Sequence, residues 1–139
     1  MSAQWMLRRR IVFAAAVAAI IGCNRSGLDL APVEGLVTYN GAPVAEAGVM
    51  FAPQQGPPAM ATTDAEGKFA LTTANHDGAL IGQHRVSISK VETIAIPQPQ
   101  GFPLYQHKSH IPEKYADVST SELTADVQDD DNYFEFKLQ

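Results

Sequence analysis

Between Tyr105 and Tyr115 the chain gathers two phenols and two imidazoles, Tyr105, His107, His110 and Tyr115. Imidazole is a favoured ligand of first-row transition metals, so His107 and His110 are the residues to which a metal site would be assigned. Their setting argues for something plainer. Glu92 to Ile111 reads "ETIAIPQPQGFPLYQHKSHI", and Pro97, Pro99 and Pro103 cannot donate to a central ladder. This is expected to be a long proline-rich loop carrying solvated histidines. Long loops on rigid scaffolds also bind, so Pro97, Phe102, Tyr105 and His107 form a candidate contact surface.

Other groups offer less chemistry. Asp129-Asp130-Asp131-Asn132 supplies oxygen ligands of the kind Ca²⁺ takes, but acids ahead of a strand also make a solvated turn. His84 reads as a half-buried residue on an edge strand and His76 as a turn residue. Thr72, Thr73, Ser87 and Ser89 read as outward strand positions, with no base spaced to activate a hydroxyl. The expectation is a chain that is not an enzyme and takes no cofactor, with a His107–His110 metal domain as its rival.

The single cysteine carries a different chemistry. Arg8, Arg9 and Arg10 precede an uncharged apolar run, Ile11 to Gly22, and Cys23 follows at once. A spanning helix needs about 20 apolar residues, so the run reads as the h-region of an export signal. Ile20-Ile21-Gly22-Cys23 resembles the lipobox of bacterial lipoprotein signals. That resemblance implies residues 1–22 as a signal peptide cleaved between Gly22 and Cys23, lipid on Cys23, and an anchor of several acyl chains. Asn24, rather than Asp, implies onward transport to an outer membrane. Residues 23–32 are expected as a lipidated tether and 33–139 as one domain.

Charge narrows the partners. The chain carries a net −5, and losing the three arginines of the signal makes the remainder more acidic. That balance excludes nucleic acid and leaves an envelope protein or glycan as the partner class. With one cysteine there is no disulfide, so packing alone must hold the fold.

The elements that position these residues alternate with period two. Val33, Val37 and Tyr39 share a face of "VEGLVTY", and Asn40-Gly41 behind it is a hairpin turn signal. "GVMFAP", "AMATT", "KFALTT", "GQHRVSISKV", "SELTADVQ" and "NYFEFKLQ" each place apolar residues on one side, and Asp64-Ala65-Glu66-Gly67 closes a turn before Phe69. Tyr115 is expected to pack at an end of the domain with its hydroxyl satisfied. About seven short strands with turns between them predict an all-β fold, a single Greek-key β-sandwich.

Three segments in order, "VEGLVTYNGAPVAEAGVMFAP", "ATTDAEGKFALTT" and "GALIGQHRVSISK", resemble a carboxypeptidase regulatory-like domain of transthyretin type. The tail from Ile111 is similar to a lipoprotein branch of that family in planctomycete-type bacteria. The resemblance implies a non-catalytic module for binding or support at a membrane surface. The Tyr and His set resembles the ferric ligands of intradiol dioxygenases, but the Arg that accompanies that family's histidines is missing.

Overall fold

The computed structural model describes residues 27–139; Gly22, Cys23 and the expected signal peptide lie outside the described residues. Strands follow in the order β1 (Leu30–Ala31), β2 (Val33–Tyr39), β3 (Ala42–Pro43), β4 (Gly48–Pro53), β5 (Ala59–Thr62), β6 (Lys68–Ala70) and β7 (Thr72–Thr73). Then come β8 (His76–Asp77), β9 (Ala79–Leu80), β10 (Gly82–Ser89), β11 (Val91–Ile96), β12 (Leu104–Ser109), β13 (Leu123–Val127) and β14 (Asn132–Leu138). A 3-10 turn, Glu113–Ala116, precedes β13.

These strands form an all-β sandwich. One sheet has β2 at its centre, with β14 parallel on one side and β6 and β3 sharing the other. The second runs β13-β10-β4-β5-β7-β8, antiparallel throughout. Asn40 and Gly41 join β2 to β3 with φ of 49° and 83°, the doubly left-handed pair that a tight hairpin demands. Gly67 has φ 78°, and a Cβ there would lie 2.6 Å from the Val37 carbonyl oxygen. The Asp64 carboxylate accepts the backbone N–H groups of Glu66 and Lys68 and so fixes that turn.

"KFALTT" is not one strand. Lys68–Ala70 pairs with β2, whereas Thr72–Thr73 belongs to the opposite sheet, so the chain changes sheets at the buried Leu71. Leu71 donates its N–H to Val33 and accepts from Gly78, which satisfies the backbone at the crossing. The stretch expected as a tether also differs. Leu30–Ala31 pairs with β9 and Ala31 is buried, so the sandwich takes up the end of that segment.

Aromatic rings join the sheets. Phe51 of β4 meets Phe69 of β6 and Phe134 and Phe136 of β14, with ring centroids 6.3, 5.7 and 5.9 Å away. Edge contacts of this kind add about 0.5–1.5 kcal/mol each beyond the area they bury. The ring of Phe69 lies over Gly35, its register partner: a Cβ at position 35 would sit 2.4 Å from Phe69 Cζ and 2.3 Å from the Phe134 carbonyl oxygen.

Three side chains depart from expectation. His84 is on the central strand β10 and only 2 % exposed, not at an edge. It follows the inward parity of Val86 and Ile88, and its ring centroid is 5.7 Å from that of Phe51. Thr73 points inward because it continues the Phe69–Leu71 alternation, and its hydroxyl donates to the Gly78 carbonyl at 2.8 Å. Ser87 is buried as well, on a strand flanked on both sides with the 3-10 turn packed against it. Tyr115 packs as expected, its hydroxyl 3.3 Å from the Gln139 carbonyl oxygen.

Candidate interaction hairpin

The segment expected as a proline-rich loop is a β-hairpin. Val91–Ile96 and Leu104–Ser109 pair antiparallel over six residues each, from Val91 opposite Ser109 to Ile96 opposite Leu104. β-branched Val91, Thr93, Ile94 and Ile96 favour the extended backbone. The prolines do not interfere. Pro97 follows the first strand, Pro103 precedes the second, and Pro99 lies in the turn between them, where no ladder donor is needed. Gly101, with φ 99°, turns the chain at the tip. Proline content masked the strands; the "VETIAI" composition was the signal for them.

The base is pinned to the sandwich. Lys90 Nζ donates to the Ala45 carbonyl at 2.5 Å, the His110 N–H donates to the Lys90 carbonyl, and Ser109 Oγ donates to the carbonyl of buried Ile111. Beyond these contacts the hairpin stands clear. Every residue of β11 is exposed, as is all of β12 up to Lys108. Exposure of both alternating sets means that neither face lies against the sandwich.

The two faces differ. One carries Ile94, Ile96 and Leu104 near the tip, with Gln106 beside Ile94 and the pair Glu92–Lys108 at the base. The other carries Val91, Ala95 and Tyr105, with Thr93 opposite His107. Phe102 crowns the turn at 93 % exposure. From Thr93 to His107 there is no Asp, Glu, Lys or Arg, in a chain of net −5. Pro97, Phe102, Tyr105 and His107, the candidate contact residues, all lie on this one projection.

The two histidines do not converge on one centre. His107 Nδ1 is 3.1 Å from Thr93 Oγ1 on one face. His110 Nε2 is 2.8 Å from Glu92 Oε2, and Glu92 belongs to the opposite face by alternation. Tyr105 and Tyr115 are also apart, the one on the hairpin and the other in the core. Among the described residues no three His, Cys, Asp or Glu side chains gather into a metal-holding group.

The other candidate residues have structural work. Asn132 uses its side chain inside the acidic turn: Oδ1 accepts the Gln128 N–H, and Nδ2 donates to the carbonyls of Pro32, Gln128 and Asp130. His84 Nε2 lies 2.6 Å from the Leu80 carbonyl oxygen, which can only accept, so Nε2 carries the hydrogen; Nδ1 is buried with no partner among the described residues. A cleft of 610 Å³ on the second sheet brings Arg85, Thr124 and Asp126 together, without pairing a nucleophile with a base. Asp117 is held below the ordinary Asp value of 3.8 because the Ser119 hydroxyl, and then its backbone N–H, donate to the carboxylate.

No family model matches the chain, the carboxypeptidase regulatory-like domain included. No curated protein matches it. A solved structure, that of a DUF3823 family protein from Parabacteroides merdae, is similar over 78 % of this chain at 12 % identity with a TM-score of 0.41. The chain spans 45 % of that protein's length.

Proposed function

We propose that this is a lipid-anchored, non-catalytic β-sandwich that presents the Val91–Ser109 hairpin as its binding element. In this reading it is a carboxypeptidase regulatory-like lipoprotein, held to an outer membrane through Cys23. The observation that carries the binding role is the hairpin itself. An isolated two-stranded ribbon is marginal in water, yet here one stands off the sandwich with Ile94, Ile96, Phe102, Leu104 and Tyr105 exposed. Such a surface is suited to covering by a partner, and its lack of formal charge suits a protein surface better than an ionic polymer.

The placement of the hairpin supports the same reading. Leu30 pairs with Leu80, just before β10 begins, and the hairpin leaves β10 after Ser89. Eight residues of strand separate the two points, roughly 25 Å at the usual rise. A domain tethered by its N-terminus therefore offers the hairpin at the end away from its anchor.

Detergent partitioning and cross-linking test the two halves separately. The wild-type chain is expected in the detergent phase, and Cys23→Ser is expected to persist as uncut precursor. Cleavage and release of Cys23→Ser would overturn the anchor. Surface-labelled cells are expected to give cross-links through Tyr105 and Lys108. Cross-links confined to the sandwich would overturn the binding role of the hairpin.

A further inference from the structure

We infer that the hairpin's partner is a second copy of this chain, joined through β11 edges to make a four-stranded sheet β12-β11-β11-β12. This rests on the hairpin being the binding element. Among the described residues β11 pairs with β12 and with no other strand, so its outer edge offers a row of unpaired N–H and C=O groups. Natural edges are usually blunted by a lysine, a proline or a bulge; Lys90 and Pro97 bracket this one, and between Thr93 and Ile96 it has none of these. A lipid bilayer would cover the apolar side chains but leave those backbone groups without partners. A strand from another chain satisfies both.

The register of the hairpin fits a second copy. Two chains of net −5 repel, and the uncharged hairpin is where that repulsion is least. Antiparallel pairing about a two-fold axis through Ile94 keeps each residue on its own face. It sets Ile94 against Ile94 of the second copy, and Ile96 against Glu92. Each Glu92 keeps Lys108 beside it on its own hairpin, so no like charges meet. The row of Leu104, Ile96 and the central Ile94 pair then becomes one aliphatic strip running across both copies.

The test places a photo-reactive phenylalanine analogue at position 94 of the full chain in cells, with exposed Met60 on the sandwich as the control site. The expected product is an adduct of twice the mass of the processed chain, each copy having lost residues 1–22 of the 15.0 kDa full chain. Ile96→Asp sets two acids opposite each other across the axis and is expected to abolish the adduct. Adding Glu92→Lys with Lys108→Glu keeps an opposite-charge pair within each hairpin, turns each of those contacts into an attraction and is expected to restore it. Loss without restoration overturns this pairing. An adduct of a different mass overturns self-pairing while leaving the hairpin as a contact element. Labelling no stronger than at Met60 overturns both.

Discussion

β10 and β11 follow one another in the chain, separated by Lys90 alone, and lead opposite lives. β10 has a neighbour on each side, and four of its residues are buried. Among the described residues β11 has one neighbour, and none of its own residues is buried. Both carry β-branched residues, more of them in β11 than in β10, so local preference does not explain why β10 is the buried one. What separates them is whether a second layer exists to receive the side chains. The sandwich supplies that layer for Val86 and Ile88; nothing within the described chain supplies it for Ile94 and Ile96.

Because of that contrast, substitutions in the two regions must differ in kind. Phe51→Ala removes the ring that touches three aromatic neighbours across the sandwich and is expected to cost about 3–5 kcal/mol in denaturant unfolding. Gly35→Ala drives a methyl into Phe69 and the Phe134 carbonyl and should cost about 1–3 kcal/mol. Thr63→Val keeps the shape but strips the hydroxyl that accepts the Ala47 N–H at 2.8 Å and donates to the Val44 carbonyl at 2.6 Å. A loss of about 1–3 kcal/mol is expected there. Phe102→Ser, on the hairpin, should change stability by no more than about 0.5 kcal/mol. A larger loss would mean that the hairpin supports the sandwich.

The smallest expected effect lies at Asp117. Its carboxyl titrates below its unfolded value, so the stability it contributes is present above pH 3.8 and fades as pH falls through the lower folded value. Asp117→Asn should therefore lower stability slightly at neutral pH, a difference that vanishes as pH falls below the folded value, so the acid limb of the stability profile flattens. A carboxyl resonance titrating at or above 3.8 would contradict the hydrogen-bonded arrangement with Ser119.

Alternation made the sandwich legible. The longer strands with an apolar side facing a partner layer were readable, from "VEGLVTY" to "NYFEFKLQ", as were the turns at Asn40-Gly41 and Gly67; β1, within the expected tether, was not. Sheet membership was not. Nothing local marks Leu71 as the point where the chain changes sheets, because Phe69, Leu71 and Thr73 alternate as an unbroken strand would. The inward turn of Thr73 was legible in that same alternation and was obscured by reading a hydroxyl as a surface group. The hairpin was hidden by its prolines, since the count of prolines says less than their positions, all three falling between the strands. His107 and His110 suggested a pair by their closeness in sequence. Strand alternation sends them to opposite faces, which spacing in a presumed loop does not convey.

The most direct measurement compares the full chain with a triple variant, Ile94→Asn, Phe102→Asn and Leu104→Asn, in thermal unfolding and in cross-linking on cells. The account predicts a melting temperature within about 4 °C of the parent, together with loss of hairpin cross-links. A sharply lowered melting temperature with the cross-links retained would contradict it, because the hairpin would then serve the fold and not the contact.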